Sequence, residues 1–111
     1  MGLFKHDIHL VDFNPAKGGE MGKLRPAIIM SQDEDNELLA TAIVIPLSTQ
    51  IESNALPYRL TLPKREKLEQ ISDACINEIR SLSKSRIKEK LGTITDDEAK
   101  IITQALCKLM L

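Results

Sequence analysis

Apolar residues in this chain come in short runs separated by polar breakers, and only the last stretch has helical spacing. Residues 7–13 and 25–31 are predicted as strands. Residues 39–47 form a nearly unbroken apolar run around Ala42-Ile43-Val44-Ile45, the pattern of a strand buried on both faces. Tyr58-Arg59-Leu60-Thr61-Leu62 alternates between two prolines and predicts a half-buried strand. Residues 74–82 and 87–94 predict two more strands, joined by a turn at Lys84-Ser85-Arg86. Between these runs, 32–37 is expected as an acidic, solvated hairpin tip, 48–56 as a polar loop, and 63–70 as a short charged helix or a loop. Thr95-Asp96-Asp97-Glu98 has the form of a capping box with acids in the first turn. Ala99, Ile102, Leu106 and Leu109 then make an apolar stripe with Ala105 beside it, while Lys100, Gln104 and Lys108 face away. Strands linked by short turns and closed by one terminal helix predict a mainly β (α+β) domain, a small twisted β-barrel-like fold over residues 1–111.

Composition narrows the class. Hydrophobic content of 42% and charged content of 28% suit an ordinary globular domain, and 111 residues suit one such domain. No apolar run is long enough to span a bilayer. The N-terminus lacks the apolar stretch of a secretory signal, and His6 breaks a myristoylation pattern after Gly2, so the cytoplasm is expected. Cys75 and Cys107 lie within apolar patterns and read as buried, reduced thiols; neither has metal-ligand spacing, so no metal or cofactor is expected. The net charge of −1 argues against bulk electrostatic capture of nucleic acid. The charge is nonetheless uneven: residues 1–62 carry five basic and eight acidic side chains, residues 63–111 ten and eight. Arg80, Lys84, Arg86, Lys88 and Lys90 form the densest basic segment, which suits a solvated face or an RNA contact equally.

The stretch from Val11 to Ser31 is the least explained by packing alone. An apolar run into Phe13 meets a loop with three glycines and an acid, Glu20, before Arg25-Pro26 opens the next strand. A charged pair mounted between an adaptable loop and a rigid strand is how sites are commonly built. Val11-Asp12-Phe13-Asn14-Pro15, then Lys17-Gly18-Gly19-Glu20, then Gly22-Lys23-Leu24-Arg25-Pro26-Ala27 resemble the MazF/PemK toxins, the ribonuclease half of toxin–antitoxin pairs. The resemblance continues through Ile45-Pro46-Leu47-Ser48-Thr49-Gln50 and from Glu78 to Arg86, and so covers nearly the whole chain.

That resemblance implies a PemK/CcdB-like barrel and a metal-independent endoribonuclease, in which a 2′-hydroxyl attacks in line and leaves a 2′,3′-cyclic phosphate and a 5′-hydroxyl. It also implies a homodimer neutralised by an antitoxin whose acidic, partly disordered tail fills the RNA groove. A guanidinium suits the charge that builds on phosphate oxygens, and Arg25 is the residue expected to supply it. The family's catalytic threonine falls on Ser48, which keeps the hydroxyl and loses the methyl that fixes the rotamer. Thr49 follows at once, and only one of the two neighbours can face a given phosphate. Glu20 is expected either to accept the 2′-hydroxyl proton or to orient Arg25; an arginine itself is effectively never deprotonated. Lys17, Thr49, Gln50, Glu78 and Arg80 are the expected substrate contacts. Glu78 stands where the family usually has glutamine and adds negative charge beside an anion site.

His6 and His9 stand where the family has glycine and an aromatic, and both read as structural. Phe13 reads as core, which leaves few aromatics for base stacking. Two other functions compete. A catalytically silent RNA- or antitoxin-binding homologue is suggested by Ser48 and Glu78 together. A CcdB-like gyrase binder on the same fold is opposed by the lack of any tryptophan.

Overall fold

A computed structural model describes residues 2–13, 23–53 and 55–111, and these hold seven antiparallel strands and two α-helices. The order is β1 Asp7–Asp12, β2 Leu24–Ile29, α1 Asp33–Leu38, β3 Thr41–Ser48, β4 Arg59–Leu62, β5 Ser72–Cys75, β6 Arg80–Ser83, β7 Ile87–Thr93 and α2 Asp96–Met110. The strands pair in the order β4-β5-β3-β2-β1-β7, with β6 also against β3. Among the described residues no ladder joins β7 to β4, so the sheet is strongly wrapped but open rather than a closed barrel.

Alternation along the central strands fills two cores. Ile8, Ile28, Ile45 and Leu47 project to one side and pack with Ala99, Ile102 and Ala105 of α2. Val11, Ala27, Ile29 and Val44 project to the other, where Leu82, Ile87 and the partly buried Phe13 cover them. β3 is therefore buried on both faces as its apolar run predicts, but only from Val44 onward; Thr41 and Ile43 are exposed.

The long strand expected over 74–82 is interrupted. Between the Val44–Arg80 and Leu47–Ala74 pairs, residues 45–46 of β3 oppose residues 75–79 of its neighbour. The surplus is taken up by a 3-10 turn over Ile76–Glu78. Pro46, with no N–H to give to a ladder, sits at this break. Continuous apolar character over 74–82 hid it, because the turn buries Ile76 as a strand would.

The acidic segment at 32–37 is not a simple solvated tip. It forms α1, whose Asn36 is buried: its amide bonds Ser31 Oγ and Ser31 O, and its own carbonyl receives Lys84 Nζ at 2.6 Å. Residues 63–70 form turns closed by an Arg65–Leu68 bridge, settling that choice in favour of a loop.

The capping box is present, with Glu98 N–H donating to Thr95 Oγ1 and Thr95 N–H to Glu98 Oε1. Glu98 also holds Arg65 in a two-pronged ion pair, Nη2 to Oε2 at 2.7 Å, with both side chains largely buried. The Arg65 hydrogen bond keeps the Glu98 carboxyl below its usual range. A carboxyl whose folded pKa is depressed contributes stability that is complete above the unfolded pKa and disappears as pH falls through the folded value. Glu98→Gln is expected to lose about 2 kcal/mol at neutral pH, the size of a charge-assisted hydrogen bond. The gap to wild type begins to narrow as pH falls through about 4, where an ordinary glutamate protonates, and closes below the lower folded value; thermal denaturation across pH checks both.

Candidate functional site

Arg25 enters β2 one residue before Pro26, which restricts its backbone to the extended region and so fixes where the side chain leaves the strand. On β3, which pairs with β2, Ser48 is the last residue before the chain turns away. Its Oγ accepts the Gln50 N–H at 3.1 Å, which fixes the rotamer that a threonine methyl would otherwise fix and leaves the hydroxyl proton free to donate. Arg25, Ser48, Thr49, Gln50 and Glu78 line one cleft of about 540 Å³. The expected residues thus converge from β2, the β3–β4 loop and the excursion between β5 and β6. The break in the predicted strand is what delivers Glu78.

Thr49 is exposed and makes no side-chain hydrogen bond among the described residues, so Ser48 is the anchored hydroxyl of the two. Arg25 likewise makes no ion pair among the described residues, which leaves its fork available to an anion. Arg80 is not in the cleft lining; its guanidinium lies over the Phe13 ring, 5.6 Å from the centroid. Lys17 and Glu20 lie outside the described residues.

The basic segment that follows is largely engaged within the fold. Lys84 caps α1, Arg86 Nη1 donates to Asp12 O at 3.3 Å, Lys88 Nζ to Ser85 O at 3.3 Å, and Lys90 pairs with Asp7 at 3.5 Å.

The histidines lie away from the cleft. His9 is buried on β1 with Nδ1 at 2.8 Å from Lys88 O, and His6 occupies a left-handed backbone position, φ 77°. Burial lowers the His6 pKa, so its ring is neutral at pH 7.

Lys23, Arg59 and Cys75 also line the cleft, a place the sequence reading does not give them. Arg59 and Cys75 are opposite one another on β4 and β5, a pairing no local pattern reveals. Cys75 is buried, as expected, and burial raises its pKa, keeping it a thiol; Cys107, expected inside, is exposed. Among the described residues no three His, Cys, Asp or Glu side chains gather as metal ligands would, and no helix is long and apolar enough to cross a membrane.

An antiparallel sheet backed by one terminal helix, with an arginine and a hydroxyl lining one polar cleft, defines a small mainly β domain. The family model for the PemK-like, MazF-like toxin of type II toxin–antitoxin systems matches residues 5–110. Endoribonuclease MazF of Staphylococcus saprophyticus is 33% identical over 101 residues, 90% of this chain and 84% of that one. Among solved structures, MazE–MazF (Form II) of Deinococcus radiodurans superposes with a TM-score of 0.81 at 22% identity, covering 99% of this chain and 96% of that one. The Mycobacterium tuberculosis toxin MazF-mt6 gives 0.76 at 16% identity, covering 92% and 93%. This chain belongs to the PemK-like, MazF-like toxin family.

Proposed function

We propose that this toxin is a cytoplasmic endoribonuclease that cuts single-stranded RNA at selected sequences without a metal ion, as a homodimer, and that a MazE-type antitoxin silences it. The observation carrying the reading is that Arg25 and the anchored hydroxyl of Ser48 line the same cleft. The relative named Endoribonuclease MazF and the MazE–MazF structures support the activity and the partner class.

In-line attack by a 2′-hydroxyl needs only the RNA and the enzyme's polar groups. Arg25 holds the phosphate and takes up the charge that grows on its oxygens in the phosphorane-like transition state. Ser48, with one lone pair occupied by the Gln50 N–H, donates a hydrogen bond to a phosphate oxygen. Attack breaks the P–O5′ bond and closes the 2′,3′-cyclic phosphate, and the departing 5′-oxygen takes a proton from solvent water to leave as a hydroxyl. Glu20 accepts the 2′-hydroxyl proton, or it orients Arg25 and solvent water takes that proton. The cleft favours single strands because bases must be splayed for their edges to be read by groups such as Gln50.

Purified protein is expected to cut a single-stranded RNA at discrete sites and to spare the same strand in a duplex; equal cutting of both contradicts the reading. Glu78 is the sole acid among the described lining residues. Removing its charge in Glu78→Gln is expected to tighten single-strand binding about threefold at low salt while cutting persists. A tenfold or larger fall in kcat instead would make Glu78 the proton acceptor.

A further inference from the structure

Asp73 is the most deeply buried acid among the described residues, its side chain fully inaccessible, and one of its partners, Arg59, lines the cleft. It stands opposite Ser48 on β3 and Thr61 on β4. Oδ1 accepts Thr61 Oγ1 at 2.6 Å, while Oδ2 accepts the Glu52 N–H at 2.7 Å and lies 3.5 Å from Arg59 Nη1. Arg59 in turn gives Nη1 to Gln50 O at 2.9 Å and Nε to Glu52 Oε2 at 3.3 Å. One carboxylate therefore grips both ends of the 50–52 segment, directly through the Glu52 amide and indirectly through Arg59.

A buried carboxylate is costly unless charge and hydrogen bonds compensate it, and here three donors do so. The arrangement does more than neutralise Asp73. It holds a guanidinium whose side chain is 19% exposed at the wall of the same cleft as Arg25. The Nε and Nη1 groups are used internally, while Nη2 has no partner among the described residues. Glu52 is mostly solvent-exposed, so water screens its charge and the cleft keeps two cationic forks.

We propose that Arg59 is a second phosphate-binding residue, contacting a backbone phosphate beside the one gripped by Arg25, and that Asp73 is the positioning residue that aims it and fixes the 50–52 segment that follows Ser48. The inference rests on the RNA-binding role of the cleft. An extended strand laid along the cleft meets a cation at two places, which fixes its direction as well as its position.

The test is the salt dependence of binding to a uniformly 2′-O-methylated single-stranded oligonucleotide, which cannot be cut by 2′-hydroxyl attack. Each phosphate neutralised on a single strand contributes about −0.7 to the slope of log K against log salt. Arg59→Gln is expected to make the slope shallower by about 0.7 and to weaken low-salt binding roughly tenfold, and Arg59→Lys to restore the slope. Asp73→Asn is expected to reproduce most of that loss, with Asp73→Asn/Arg59→Gln no worse than Arg59→Gln alone. An unchanged slope in Arg59→Gln, or no binding by wild type, overturns the second contact; fully additive losses overturn the positioning role. Arg59→Lys keeps the question answerable if Arg59→Gln does not fold. Cutting of unmodified RNA is scored in parallel: a wild-type chain that cuts nothing yet shows the Arg59-dependent slope retains the second contact and refutes only the ribonuclease reading.

Discussion

Arg25→Ala is expected to lower the rate of RNA cutting about a thousandfold, the cost of removing a preorganised cation from a phosphoryl transition state. The side chain is half-exposed at the start of β2 and makes no ion pair among the described residues, so little of the fold depends on it. The thermal midpoint is therefore expected to move by only a degree or two, within the range of about 0.5 kcal/mol for surface substitutions. Arg25→Lys separates charge from shape. A point charge steers the anion, but it cannot present two parallel donors to two phosphate oxygens. Cutting by Arg25→Lys is expected about tenfold above Arg25→Ala and still about a hundredfold below wild type. Single-turnover rates at saturating RNA check both. Arg25→Ala that cuts within threefold of wild type would remove Arg25 from the chemistry.

Ser48→Ala is expected to cut about a hundredfold more slowly, the scale of one lost donor to a developing oxyanion. Its loss is twofold in kind. The hydrogen bond given to the phosphate disappears, and the Gln50 N–H loses its acceptor, so the loop bearing Thr49 and Gln50 loosens. Ser48→Thr keeps the oxygen and adds a χ1-fixing methyl, so its rate is expected to equal or exceed wild type. Thr49→Ala is expected to stay within about threefold, because Thr49 is exposed and carries no anchoring hydrogen bond among the described residues. A large loss in Thr49→Ala with a small one in Ser48→Ala would exchange their roles.

The strands at 7–12, 24–29 and 87–93 and the terminal helix were legible because their burial follows local periodicity, and Thr95 and Glu98 announce the helix start in the sequence itself. The Ile76–Glu78 turn was not legible. It answers a mismatch in length between β3 and its neighbour, and that mismatch exists only once the strands pair. The same distinction runs through the site. Arg25, Ser48, Thr49, Gln50 and Glu78 lie within motifs, and the fold gathers them. Arg80 lies within a motif too, yet packs on Phe13, because the face of that partly buried ring is a partner closer at hand than the cleft. Arg59 and Asp73 sit 14 residues apart with no motif between them; only the β4–β5 ladder makes them neighbours. Cys107 is exposed although its surroundings are apolar, because the helical stripe passes beside it: Ile102, Ala105 and Leu109 pack into the core while Cys107 turns outward.

The central claim is that this cleft cuts RNA by 2′-hydroxyl attack with Arg25 as its cation. The most direct measurement is incubation of a long synthetic single-stranded RNA with wild-type and Arg25→Ala protein in excess EDTA, followed by analysis of the new ends. Discrete cuts carrying 2′,3′-cyclic phosphate and 5′-hydroxyl ends, with wild type only, are the predicted result. No cuts by wild type, cuts that need added divalent metal, or ends bearing a 5′-phosphate would contradict it.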